Sequence, residues 1–389
     1  MKSKSQKLSL ALLLSNIFII FVGISLVIPV LPSLMNELSI SGTIAGNMVA
    51  AFALAQLIAS PFTGKWTDKY GRKIMIIIGL FLFSFSELLF GIGKSLEMLF
   101  LSRILGGVSG ACIMPAITAF IADITSENER PKALGYMSAA INTGFIVGPG
   151  IGGFLAEFGI RVPFFAASIL GAIVAIASIF LLKEPERMEQ PDSKKGQKIG
   201  WKRIFMPMYF ISFVIIFLST FSLTSFESLF SLFIDHKFGF TPRDIAIIIT
   251  GSGTVGAIAQ ILLFDRLTKR LGEIMVVRLS LIFSALLVFV MTIVSSYWSI
   301  LLICCIVFVG FDLVRPGITS YLSKIAGNEQ GFVGGMNSMF TSIGNIFGPI
   351  IGGILFDINL NFPFYFATIM LIFCIAIAMF WKEPNPSTL

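Results

Sequence analysis

Five ionisable residues stand where the chain is otherwise apolar: Glu87, Arg103, Glu227, Asp312 and Arg315. Each lies inside a run long enough to cross a membrane as a helix, where an unpaired charge costs on the order of 3 kcal/mol. Counting 1.5 Å per helical residue, Glu227 lies about 12 Å from the nearer end of its predicted helix, taken at Asp235. Asp312 lies about 21 Å from the outer end of its own. Neither can reach water by stretching along the helix. Removal from water favours the uncharged form of a carboxylic acid, the condition for taking up and releasing protons in the physiological range. Glu227 and Asp312 are therefore candidates to carry a proton and to attract a cation. A structural role competes for Asp312, because Arg315 lies within its i,i+3 reach. Glu87 and Arg103 lie equally far from the turn joining the third and fourth runs, so they can pair. Arg103 can instead face a cavity and modulate proton release.

The elements that must position these residues are apolar helices. Of the 389 residues 56% are hydrophobic and 13% charged, and the mean hydropathy is +0.92, which excludes a soluble globular protein. Twelve runs emerge, at about 9–31, 43–63, 73–93, 98–122, 133–157, 162–183, 207–234, 244–264, 274–294, 298–322, 332–356 and 362–382. The first follows Lys2, Lys4 and Lys7 but is too long for a signal peptide's apolar core and ends on no cleavage pattern, so a retained helix is expected. Gly144, Gly148, Pro149, Gly152 and Gly153 recur as Gly344, Gly348, Pro349, Gly352 and Gly353. Asn128-Glu129, Pro163-Phe164 and Lys183-Glu184-Pro185 have counterparts in Asn328-Glu329, Pro363-Phe364 and Lys382-Glu383-Pro384. The chain thus reads as two copies of one unit of roughly 190 residues. The expected fold is an all-α membrane protein, with twelve transmembrane helices in two pseudo-symmetric six-helix bundles. Residues 1–183 form the first bundle and 207–389 the second, and 184–206, rich in basic residues and proline, is a linker.

The net charge of +7 invites a nucleic-acid reading, but the placement of the charges opposes it. With the N-terminus in the cytoplasm, only Lys94, Arg161, Lys237 and Arg243 fall outside, and Arg103 and Arg315 lie within helices. The remaining Lys and Arg are cytoplasmic, which places both termini there. Cys112, Cys304, Cys305 and Cys374 all lie in apolar runs, so neither a disulfide framework nor a metal site follows. The single histidine, His236, is expected in an outer loop. No cofactor is expected. A sensor would need an output domain that the short loops cannot hold, and an intramembrane hydrolase would need a histidine within a helix.

Four motifs bear on family. Gly64-Lys-Trp-Thr-Asp68-Lys-Tyr-Gly71-Arg72-Lys73 joins the second and third runs. It resembles the loop signature of the major facilitator superfamily, with a degenerate second copy at Asp265-Arg266 and a displaced Gly272. Its functional reading is a latch; its plain one is a tight turn with orienting charges. Gly144, Gly148 and Gly152 form a GxxxGxxxG face beside the kink-prone Pro149, suited to close helix packing. That stretch resembles the signature of the superfamily's antiporter branch. Pro29-Val30-Leu31-Pro32 resembles the helix-one motif of its twelve-helix drug/proton antiporters, and Leu99, Arg103 and Gly107 its helix-four arginine motif. Over most of its length the chain is similar to Gram-positive multidrug efflux pumps of the Bmr and NorA type.

The resemblance implies proton-driven export of dyes, quinolone-like antibiotics and lipophilic cations across a bacterial cell membrane, without catalysis. Proton coupling then falls to Glu227, Asp312, Arg103 and Arg315. Polar and aromatic residues sharing helix faces are the candidate substrate contacts: Phe52 with Gln56, Asn142 with Phe145, Phe308 with Phe311, and Asn345. An apolar chamber of this kind accepts flat cations by area burial and cation–π attraction. The expected partners are amphiphilic small molecules, protons and the bilayer, with the chain acting as a monomer. Two alternatives share the fold: an exporter of one solute such as a polyamine, and a lipid-linked-sugar flippase. Two cationic against several acidic membrane residues speak against the flippase.

Overall fold

The computed structural model describes residues 4–126, 129–185, 207–326 and 330–381. All regular structure among them is helical: α1 (Lys4–Leu26), a 3-10 turn (Ile28–Val30), α2 (Leu31–Glu37), α3 (Gly42–Tyr70), α4 (Arg72–Ile92), α5 (Leu96–Ile124), α6 (Arg130–Ala156), α7 (Val162–Leu181), α8 (Pro207–Phe238), α9 (Pro242–Leu271), α10 (Glu273–Ile293), α11 (Tyr297–Ala326), α12 (Gln330–Ile358) and α13 (Phe362–Phe380). Twelve segments among the described residues are long and apolar enough to cross a membrane, α1 and α2 counting as one. In hydrocarbon each backbone N–H and C=O must be satisfied internally, which is why these runs form helices. The linker expected from residue 184 lies, from 186 onward, outside the described residues, as do Asn128, Asn328-Glu329 and the Lys382-Glu383-Pro384 repeat.

Three boundaries differ from expectation, each for a local reason. The first span does not stop at the prolines but continues through the 3-10 turn into α2, ending at Glu37. Pro29 and Pro32 sit in the first positions of the turn and of α2, where a missing N–H costs nothing. The segment from Gly64 to Lys73 is helix rather than loop: α3 runs to Tyr70 and α4 begins at Arg72. Only Gly71 turns the chain, at φ 108, a conformation open mainly to glycine. His236 lies in the last turn of α8, not in a loop; its Nε2 is 3.7 Å from Asp235 and its ring faces Phe356. Part of the ground for setting aside an intramembrane hydrolase therefore falls.

The helices gather into two compact units. The first holds α1, α2 and α4–α7, and the second α8 and α10–α13; α3 and α9 are divided, Ser41–Ala50 belonging to the second unit and Phe240–Thr250 to the first. In the first unit α1 packs on α6 and α7, and α4 on α5 and α7. In the second, α8 packs on α12 and α13, and α10 on α11 and α13, which is the same arrangement.

The repeated glycines make these pairings close. A Cβ at Gly144, Gly148 or Gly152 would strike α1, chiefly the backbone at Phe18, Val22 and Leu26. At Gly344, Gly348 or Gly352 it would strike α8 between Thr220 and Ser225. Ser25 Oγ donates to the Gly144 carbonyl at 3.0 Å, and Thr224 Oγ1 donates to the Gly344 carbonyl at 3.1 Å. Contact of this kind, with interhelical hydrogen bonds of about 0.6 kcal/mol each, holds helices together where lipid offers no hydrophobic drive.

The ends of the spans are tied by charges that the two halves arrange in opposite senses. At the start of α4, Arg72 Nε donates to Asp123 Oδ2 of α5 at 2.8 Å. At the start of α10, Glu273 pairs with Lys324 of α11. Gly71 and Gly272 both have positive φ, and their N–H groups donate to Thr67 and Thr268, so these pairs occupy matching places with the signs exchanged. A second such corner joins Arg161 to Glu37 and to the Gly91 and Gly93 carbonyls. Its counterpart is Lys237, which reaches Asn361 and the Met291 and Thr292 carbonyls. In each half a cation satisfies the open C-terminal carbonyls of a helix, as its dipole favours.

Candidate functional site

Within the second unit, α8 brings Glu227 to a level about 17 Å from its end at Phe238, because the helix runs past the predicted boundary. The residues around it face different ways. Phe226 is fully buried and packs on Phe308, Phe311 and Phe364, with ring centroids 5.5–5.9 Å apart. Phe230 adds a second contact to Phe308. This aromatic wedge fixes the rotation of α8, so that Glu227, one residue on, points away from the packed core and is exposed.

Asp312, in the middle of α11, is partly buried. Its neighbour Phe311 and Glu227's neighbour Phe226 pack with ring centroids 5.5 Å apart, so α8 and α11 carry the two carboxylates at the same level. No ion pair joins Asp312 to Arg315, although one turn of helix separates them; Arg315 is exposed. The simple structural account of Asp312 as the partner of Arg315 therefore does not match this geometry.

In the first unit, Arg103 lies 3.6 Å from Glu87 and places its guanidinium 4.2 Å from the centre of the Phe90 ring. Glu87 is buried and Arg103 partly so. Glu87 Oε2 and Arg103 Nε have no hydrogen-bond partner among the described residues. The pair is thus a charge contact backed by an aromatic face. Phe52 and Gln56 of α3 lie against the glycines of α5, Phe52 over Gly106 and Gly107 and Gln56 over Gly110. Asn142 and Phe145 are both exposed on α6, on a face other than the buried one of Gly144 and Gly148, and Phe145 leans on Phe21 with centroids 5.1 Å apart. In the second unit Asn345 and Phe308 are half-buried. Phe311 is different: it is 6% exposed and serves as packing against Phe226, leaving no surface for a ligand.

Around the glycine–proline and latch motifs the structure adds partners that lie far away in sequence. Pro149 is buried within α6. Asp68 is exposed and lies 3.4 Å from Arg72, whose Nη1 also donates to the Thr67 carbonyl. Glu184 accepts from the N–H groups of Arg72 and Lys73 at 2.6 and 2.8 Å, closing the open end of α4. Asp123 and Glu184 are absent from the motif reading. The repeat of Lys183-Glu184-Pro185 is the signal that marks Glu184. Gly64, by contrast, has nothing within 4 Å of a built Cβ. Among the described residues no group of His, Cys, Asp and Glu could hold a metal ion.

Known proteins place this geometry in context. The sequence profile described as Major Facilitator Superfamily matches residues 13–231 and again 212–389. Multidrug resistance protein 1 of Bacillus subtilis (strain 168) is 64% identical over 98% of each chain. Multidrug resistance protein 2 of the same organism is 54% identical over 97% of this chain and 96% of its own. The quinolone resistance protein NorA of Staphylococcus aureus (strain Mu50 / ATCC 700699) is 46% identical over 90% of this chain and 91% of its own. Among solved structures, a bacterial homologue of the human lysosomal transporter Spinster superposes with a TM-score of 0.80 at 16% identity, covering 99% of this chain and all of its own. The nucleoside transporter NupG gives 0.74 at 14%, covering 98% and 100%. At such identities these two speak for the fold alone.

Proposed function

The chain belongs to the Major Facilitator Superfamily, and from that premise we propose that it is a proton-coupled multidrug efflux antiporter of a bacterial cell membrane. It moves amphiphilic, often cationic compounds outward without altering them covalently. Its high identity to two multidrug resistance proteins over nearly the whole chain supports the substrate class. The observation that carries the mechanism is the pair formed by Glu227 and Asp312. These two mid-helix carboxylates lie at the same level of two helices packed through Phe226 and Phe311, and no ion pair ties either to a cation among the described residues.

Two carboxylates that sense each other repel when both are charged. One proton relieves that repulsion, and so does one substrate cation. The two therefore compete for the same negative charge, which is what exchange requires. Protonation from the acidic side displaces the drug, and proton loss on the other restores affinity. A difference of a few kcal/mol in affinity between the two states suffices to drive the cycle. Arg103 and Arg315 adjust the local field, and Phe52, Gln56, Asn142, Phe145, Phe308 and Asn345 supply contact area and orientation. Asp68, Gly71 and Arg72 hold one end of the helices, and Gly144, Gly148, Pro149 and Gly152 the packing of α6 on α1. The bias of basic residues puts both termini in the cytoplasm, and a monomer is enough for the cycle.

Ethidium efflux from vesicles under an imposed pH gradient tests the proposal. Glu227→Gln and Asp312→Asn should each abolish gradient-driven efflux, and a protonophore should reduce the unaltered protein to the same level. Undiminished coupling in both variants ends the proposal.

A further inference from the structure

Gly256 differs from the glycines of the GxxxGxxxG faces in what it meets. A Cβ built on Gly256 of α9 would collide with the carboxyl group of Asp312, and among the described residues no other atom outside the α9 backbone lies within 4 Å of that point. Gly144, Gly148 and Gly152 and their counterparts Gly344, Gly348 and Gly352 instead meet α1 and α8, backbone included. Those glycines let two helices touch; Gly256 makes room for one carboxyl group. One and a half turns earlier on α9, a Cβ on Gly251 would sit 3.3 Å from the Cys305 sulfur of α11, a close contact that a small turn of the thiol relieves. The strict demand for a bare Cα thus falls at the level of Asp312.

We propose that Gly256 is a positioning residue for proton coupling, its bare Cα forming the seat that holds the Asp312 carboxylate against α9. This rests on the reading of Asp312 as a proton carrier. An aspartate has only two side-chain torsions, so any Cβ at position 256 swings its oxygen to another place. The seat holds by shape, since contacts from a Cα–H to an oxygen are weak. The charged surroundings are sparse. Glu227 of α8 is the acidic partner, and Arg315 on the same helix is exposed. Between Asp244 and Asp265, α9 carries no charge. On α10, Glu273 is bound to Lys324 and Arg278 to the carbonyls ending α13. Asp357, the charged residue of α12, accepts from the amides of Gly42 and Thr43. With no cation among the described residues to hold Asp312, the shape of α9 decides where its proton sits.

The test uses the full-length protein in proteoliposomes, with ethidium as the probe, and compares Gly256→Ala, Gly251→Ala, Asp312→Asn and the double variant Gly256→Ala/Asp312→Asn. Gly256→Ala should lower gradient-driven efflux by on the order of ten- to a hundredfold, the usual scale for a misplaced reacting group, and should shift its pH profile. Its thermal unfolding midpoint should equal or exceed that of the unaltered protein, because alanine favours a helix. Gly251→Ala should behave as the unaltered protein, and the double variant should be no worse than Asp312→Asn. The inference is overturned if Gly256→Ala keeps the normal rate and pH profile while Asp312→Asn has lost coupling. It is overturned equally if Gly256→Ala lowers the unfolding midpoint, or if the double variant loses more than Asp312→Asn. Retained coupling in Asp312→Asn would instead remove the proton-carrier reading beneath it.

Discussion

Arg103 is held by one carboxylate and one aromatic ring, and these partners differ in what their loss would cost. Glu87 supplies the opposing charge at 3.6 Å and is buried. Phe90 supplies a face 4.2 Å away. Taking one partner from a buried ion pair leaves an uncompensated charge and costs about 3–5 kcal/mol, whereas replacing both by apolar groups is close to neutral. Glu87→Gln should therefore lower the unfolding midpoint of the purified protein clearly, and Glu87→Gln/Arg103→Met should recover most of the loss. A Glu87→Gln protein that melts with the unaltered one would show that the pair holds nothing. Arg315 is different: it is exposed and forms no ion pair among the described residues.

The elements are joined by two devices, and each can be tested separately. Close packing is the first. Gly152 admits the Leu26 carbonyl of α1, so Gly152→Ala forces two backbones apart, at a cost of about 1–3 kcal/mol by the usual scale of overpacking. Gly64 lies in the most recognisable motif, yet a methyl group there meets nothing. Gly64→Ala should leave the melting temperature in place, and thermal unfolding of both variants decides the contrast. Charge pairing at helix ends is the second device. The first half sets Arg72 on α4 against Asp123 on α5, and the second sets Glu273 on α10 against Lys324 on α11. Since the fold tolerates either order, the exchanged variant Arg72→Glu/Asp123→Lys should regain stability relative to Arg72→Glu alone. No recovery in thermal unfolding would mean that the guanidinium is needed for its further bond to the Thr67 carbonyl.

For the whole molecule, the two-copy construction was legible because glycines that contact a backbone cannot drift. Gly144, Gly148 and Gly152 and their counterparts mark the α1–α6 and α8–α12 contacts directly. Span number followed from apolar length alone. Span ends did not: polar residues such as Lys65, Asp68 and Lys69 read as a loop, yet they form the last turns of α3 beyond its apolar stretch. The exchanged ion pairs were hidden because a search for repeated residue types cannot see a repeated pair of opposite sign, and Gly272 read as displaced until its positive φ put it opposite Gly71. Of the candidate site, Glu227 and Asp312 were conspicuous as charges in apolar runs. The burial of Phe311 behind Phe226 and the seat at Gly256 depend on helix rotation, which a single sequence of many phenylalanines leaves open.

The central claim is that Glu227 and Asp312 exchange a proton for the exported compound. The most direct measurement is proton movement itself, followed with a pH-sensitive dye inside proteoliposomes when an outward ethidium gradient is imposed without any initial pH difference. The unaltered protein should move protons opposite to the dye, and Glu227→Gln/Asp312→Asn should move none. Substrate-driven proton flux that persists at the same rate in the double variant would contradict the account.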